Sequence, residues 1–173
     1  MRTYIKTNYE CLGAGNTREV YKDGDVVYKI ASYEENEQNN KIEFLRYKEL
    51  PESLKRFVPS MELIVPNDYE ILKAEYIEPL ENWVVRNNYL RLCDFLDACV
   101  DGKNVDELCE GLNIGLYFPY ELIAFMRELG SRESELYYPA NYGVKDNSLI
   151  LLDFADNPNA DFKIGKMPSL DVF

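Results

Sequence analysis

The chain has 173 residues, 46% of them hydrophobic and 14 of them tyrosine, with 19 Lys and Arg against 31 Asp and Glu for a net charge of −12. That length supplies one core or two small lobes rather than two ordinary domains, and the charge opposes binding to DNA, RNA or an acidic membrane surface while suiting a basic partner. Histidine is absent, which excludes Ser-His and Cys-His nucleophile pairs and mixed Cys/His zinc sites, so any proton transfer falls to carboxylates.

No apolar run resembles a signal peptide or approaches the roughly 20 residues needed to cross a bilayer, so a cytoplasmic location is expected. Cys11, Cys93, Cys99 and Cys109 lack C-x-x-C spacing and read as buried thiols of a reducing compartment. The ample apolar and aromatic content predicts a folded acidic protein rather than a disordered one.

In chain order, residues 9–14 read as a strand leading into a glycine turn, 18–22 resume it, and Asp23-Gly24 signals a hairpin before a third strand over 25–32. Residues 34–40 are polar, a loop or helix entry. Ile42, Leu45 and Phe44 then recur at helical spacing until Pro51. Two further extended runs, 57–65 and 70–76, flank the turn residues Pro66-Asn67-Asp68, which makes the first half β-β-β-α-β-β. From residue 82 the period becomes helical, with Trp83, Leu90, Leu92, Phe95, Leu96 and Cys99, and it breaks at 101–104. Pro119 suits the first turn of a helix carrying Leu122, Ile123, Phe125, Met126 and Leu129 and ending at Gly130. Residues 131–142 are irregular, and after a turn at 145–147 a short apolar strand occupies 149–154.

Within this frame, Gly13-Ala14-Gly15 between two strands allows a backbone to approach phosphates closely, with Val20 beyond it to cover a base, although the same spacing also describes an ordinary structural turn. Alternation puts Val27 and Lys29 on one face of the third strand, so a lysine stands beside an apolar residue beneath the glycine turn. An isolated strand lysine is usually a solvated edge residue, and Glu43 alone reads as an exposed helical carboxylate. Their order and spacing carry more than any one of them.

That series resembles the protein-kinase superfamily, and most closely the small kinase-like proteins of bacteriophages, in which Asn-x-Gly, here Asn141-Tyr142-Gly143, follows the catalytic loop. The resemblance runs from about residue 12 to about residue 155. It implies ATP beneath the Gly13 and Gly15 turn, with Lys29 meeting phosphate oxygens and Glu43 as its counter-charge. It further implies a hinge after residues 71–79, with Ala74 as a small gatekeeper and Glu75 and Ile77 meeting the adenine edge. Asn141 and Asp153 would present oxygens to magnesium, and Asp153-Phe154-Ala155 looks like the D-F-G motif with Ala for Gly.

The pattern also fails in two places. Counting back from Asn141 through D-x-x-x-x-N reaches Leu136, which cannot accept a proton, and Glu135 would serve as base only if the loop carries a one-residue insertion. After Asp153 a short tail remains, from which the family's peptide-docking segment is not expected to form. The resulting expectation is an α+β, reduced two-lobed kinase-like fold, with residues 1–80 as N-lobe and hinge and 81–173 as a short helical C-lobe. Its function is expected to be nucleotide binding with weak or no phosphoryl transfer, in a phage-type effector acting on a basic host protein. A minimal active phosphotransferase using Glu135, and an acidic binding module that takes no nucleotide, stand beside it.

Overall fold

The computed structural model describes residues 1–87, 116–136 and 138–155. The chain opens with a helix, α1 (Arg2–Asn8), then builds β1 (Glu10–Ala14), β2 (Arg18–Asp23) and β3 (Val26–Ala31). A 3-10 turn leads into α2 (Glu37–Glu49) and the short α3 (Glu52–Lys55), followed by β4 (Met61–Leu63) and β5 (Ile71–Glu75). These strands form one antiparallel sheet in the order β1-β2-β3-β5-β4. A second sheet joins β6 (Glu78–Pro79) to the hairpin of β7 (Tyr142–Lys145) and β8 (Ser148–Leu151). The remaining described helices are α4 (Leu80–Asn87), α5 (Tyr120–Glu128) and α6 (Glu133–Leu136). The architecture is α+β, an antiparallel N-terminal sheet followed by helices and a small second sheet.

Turn chemistry explains the hairpins. Between β2 and β3 the chain reverses over Gly24-Asp25, with Gly24 at φ 58°. Between β7 and β8 it reverses over Asp146-Asn147, both in the left-handed region, the backbone that a two-residue hairpin requires and that Asp and Asn tolerate. Pro119 caps α5, and Gly130 at φ 83° follows its end.

The sheet's two faces separate by residue parity. Tyr21, Ile30 and Ile71 gather on one face with Ile5 of α1, a helix that the sequence pattern did not announce. Val27, Leu72 and Ala74 face the other way, into the main core, where they meet Leu80 and Val84 of α4, Leu122 and Met126 of α5, and Leu149 and Leu151 of β8.

Several expectations are corrected. Residues 57–65 give only the three-residue strand β4, because Phe57 and Val58 enter the core from a turn. The stretch 131–142 contains α6, a 3-10 turn at Pro139–Asn141 and the start of β7. The last strand ends at Leu151, so Asp153 stands beyond it. In α2, Ile42 is buried but Phe44 and Leu45 are only half-buried, and the inward face is largely polar: Asn39, Asn40, Glu43 and Arg46. Cys11 is exposed rather than buried, since β1 is an edge strand with both faces open. The expected helical positions Leu90, Leu92, Phe95 and Leu96, the break at 101–104, Cys93, Cys99 and Cys109, and the tail after residue 155 lie outside the described residues. Among the described residues no helix is long and apolar enough to cross a membrane.

One glycine sets how closely β7 approaches β6 and the Ile77 side chain before it in the second sheet. A Cβ on Gly143 would stand 2.7 Å from the Glu78 carbonyl oxygen and 2.8 Å from Ile77 Cγ2. The backbone oxygen cannot swing aside, so Gly143→Ala is expected to destabilise the protein by about 1–3 kcal/mol, the usual cost of overpacking. An unchanged thermal midpoint in that variant would show that the β6–β7 pairing has slack.

Candidate functional site

A cavity of about 510 Å³ opens between the N-terminal sheet and the segment following β8. Gly13, Gly15 and Val20 roof it, Val27, Lys29 and Ala74 line the sheet side, Glu75 and Ile77 border the connection, and Asn141 and Asp153 close the opposite wall. Ten of the residues named from sequence therefore border one space. Glu43 sits behind Lys29, and Glu135 lies outside the lining but bonds Asn141.

Strand register brings them together. Val20 stands opposite Lys29, and Val27 opposite Ala74, so an apolar patch and an ammonium share one face of the sheet. A Cβ added at Gly13 would meet nothing within 4 Å, leaving the backbone open towards the cavity. Where β5 ends, the Glu75 N–H donates to Ser60 and the Tyr76 N–H to Asp25, whereas the Ile77 N–H has no partner among the described residues. Lys145 bridges from β7 to the Glu75 carboxylate at 2.6 Å, tying this connection to the second sheet.

Beneath the roof lies a cluster of four charges. Glu43 is fully buried. Lys29 Nζ donates to its Oε1 at 2.5 Å and to the Leu152 carbonyl at 2.6 Å. The other carboxylate oxygen accepts from Arg18, whose guanidinium also reaches Asn40 Oδ1 at 3.3 Å and Asp153 Oδ2 at 2.5 Å. Asn40 is held in turn, donating to the carbonyls of Lys29 at 3.1 Å and Tyr69 at 2.9 Å. Desolvation raises the Asp153 carboxyl, but the Arg18 and Lys29 charges, with hydrogen bonds from Arg18 and the Ala155 N–H, outweigh it and hold the group well below the usual carboxylate range. Burial works against the Arg18 guanidinium, yet the Asp153 and Glu43 charges push its pKa above its ordinary value.

Sequence reasoning passed over Arg18, and two signals were available. Gly13-x-Gly15-x-x-Arg18 puts an arginine where the kinase glycine pattern has a third glycine. In Arg18-Glu19-Val20, strand alternation also puts Arg18 on the face of Val20, the same argument that singled out Lys29.

The magnesium site implied by Asn141 and Asp153 does not fit this arrangement. Asp153 already binds a guanidinium through Oδ2 and the Ala155 N–H through Oδ1, at 3.1 Å. Like unit charges about 4 Å apart repel by about 4 kcal/mol at an effective dielectric constant of 20, and a divalent ion doubles that. Among the described residues there is no group of three or more Cys, Asp or Glu placed to hold a metal. The base position is equally altered. Leu136 is buried in the core, and Glu135 receives the Asn141 amide at its carbonyl, 3.0 Å, and at Oε2, 3.3 Å.

No protein family and no curated protein matches the sequence. Solved structures with which the chain shares similarity include the GDP complex of wild-type aminoglycoside 2'-phosphotransferase-IIIa, at 15% identity and TM-score 0.38, covering 86% of this chain and 67% of that one. The streptomycin–ATP–APH(2")-IIa ternary complex matches at 15% and 0.41, covering 87% and 69%. The choline kinase LicA from Streptococcus pneumoniae matches at 17% and 0.39, covering 89% and 66%. The chain thus spans about two thirds of the length of these proteins.

The Asp153 side chain is 46% exposed, so water screens part of its attraction to Arg18. The sign of its effect is still fixed. A carboxyl whose folded pKa lies below its unfolded value of about 3.9 contributes fully above that value and loses the contribution as pH falls through the folded one. Asp153→Asn is therefore expected to lower the thermal midpoint near neutral pH, with the gap to the wild type closing below about pH 4. A gap that stayed constant into strong acid would show that the Asp153 charge is not involved.

Proposed function

We propose that the protein is a kinase-like nucleotide binder with weak or no phosphoryl transfer. The observation that carries this reading is the Lys29–Glu43 pair, set on the wall of a nucleotide-sized cavity beneath a roof whose glycine backbone is left open. In this reading the polyphosphate lies under Gly13 and Gly15 and meets the Lys29 N–H that is used neither by Glu43 nor by Leu152. The base packs between Val20, Val27 and Ala74, and its edge accepts from the unpartnered Ile77 N–H.

Transfer is slow in this reading because no carboxylate among the described residues replaces Leu136. Glu135 serves the Asn141 amide instead of a substrate hydroxyl, and loss of a general base costs about 10²–10⁴-fold in rate. The finer role, an effector of phage type that engages a basic host protein, is supported by the net charge of −12, which steers such a partner and repels polyanions.

Calorimetry with ATP tests the binding reading. Lys29→Ala should remain folded, because Arg18 still meets Glu43, and its affinity for ATP should fall by about tenfold or more, the worth of a charge-assisted contact. Unchanged affinity in that variant would remove Lys29 from the site, and no heat with the wild-type protein would remove the nucleotide. Incorporation of labelled phosphate tests the second half of the reading. Turnover at an ordinary kinase rate of about 1–100 per second, abolished by Asp153→Ala, would make the protein an active phosphotransferase.

A further inference from the structure

The arginine at position 18 changes the electrostatics of the cleft. With glycine there, Lys29, Glu43 and Asp153 would carry one net negative charge, which a bound cation has to offset before a polyphosphate can enter. Arg18 brings the same cluster to neutrality with a group that belongs to the chain.

We propose that Arg18 takes the place of a divalent cation in this cleft, so that the protein binds the metal-free polyphosphate of a nucleotide; this rests on the nucleotide-binding reading above. Four features support it. The guanidinium is 7% exposed and anchored by three side chains, Asn40, Glu43 and Asp153, from α2 and from the segment after β8, so it is fixed before any ligand arrives. Of its five N–H groups those bonds use three, which leaves one on Nη2 and the one on Nε, and Arg18 lines the cavity. A planar guanidinium with paired donors suits phosphate oxygens better than an ammonium does. Withdrawing it to admit a metal would leave the fully buried Glu43 with Lys29 as its one remaining counter-charge in this cluster.

The position also explains what Asp153 does here. Its carboxylate holds an arginine on the phosphate side of the cavity rather than presenting open oxygens to an ion. Asn141 is correspondingly turned towards Glu135 through its amide nitrogen.

The test is calorimetry of the full chain with ATP, once in excess EDTA and once in excess magnesium chloride. Wild-type affinities in the two buffers are expected to agree within about threefold. Arg18→Gly should lose about tenfold or more of its affinity in EDTA and recover part of it with magnesium, since the variant restores the charge deficit that a cation fills. Circular dichroism checks that it folds. Arg18→Gln, which keeps bulk and hydrogen bonding while removing the charge, carries the same expectation should the glycine variant unfold. Wild-type binding that requires magnesium overturns this inference and leaves nucleotide binding standing. Metal-free affinity unchanged in both variants overturns it too. No binding in either buffer overturns the nucleotide reading and this one with it.

Discussion

Glu43 sits in the interior with no exposure, and each of its carboxylate oxygens meets a cation that offsets the cost of burying the charge. Stranding a buried charge by removing its partner typically costs about 3–5 kcal/mol. Much else in the fold follows from that constraint. Arg18 comes from the start of β2, Lys29 from the middle of β3 and Glu43 from α2, so the sheet and its helix are joined by charge where most folds would join them by leucines. Asn40 and Arg46, each about one turn of α2 from Glu43, extend the polar face, reaching the Lys29, Tyr69 and Phe154 carbonyls.

The same cluster joins the N-terminal sheet to the segment after β8. Lys29 donates to the Leu152 carbonyl, Arg18 to Asp153 and Arg46 to Phe154. Three consecutive residues beyond β8 are thus gripped by long side chains from β2, β3 and α2, with the Leu152 N–H also donating to the Asn141 carbonyl at 2.7 Å. Their location relative to the cavity depends on these charged donors together with the burial of Phe154 in the core, whereas Gly143 sets the β6–β7 approach by sterics. A disturbance of either would be felt at the cavity, because Asp153 and Ile77 both border it.

The parts of this arrangement that could be read from the sequence were those carried by local signals. The glycine turn, the Asp23-Gly24 reversal, the alternation around Lys29 and the Pro119 to Gly130 helix all follow from backbone preference or a short period. Apart from Glu43, which the kinase resemblance set against Lys29, the inward face of α2 was not legible, because hydrophobic periodicity treats Asn39, Asn40 and Arg46 as the solvent side. Their partners include groups more than a hundred positions away, such as the Phe154 carbonyl for Arg46. The Glu135–Asn141 contact was hidden for a similar reason. A motif template fixes where a base should stand, but not which group a displaced carboxylate will find. Helix α1 lacked a signal of its own, since it buries one residue, Ile5, too few to give residues 2–8 a helical apolar period.

Two departures from the kinase pattern, an arginine at position 18 and a leucine at 136, bear on one property of the site. A cleft built for turnover needs a metal that moves charge between reactant and product, and a base that accepts a proton in the transition state. Arg18 supplies a fixed charge that responds to neither, and Leu136 places a core side chain where the base would be. Each change adds contacts within the protein itself. The guanidinium is organised by Asn40, Glu43 and Asp153, and the buried leucine adds to the apolar cluster. Interactions that are equally strong before and during a reaction lower the free energy of the bound state without lowering the barrier from it. On the nucleotide-binding reading proposed above, a cleft altered in both ways suits holding a polyphosphate better than splitting one.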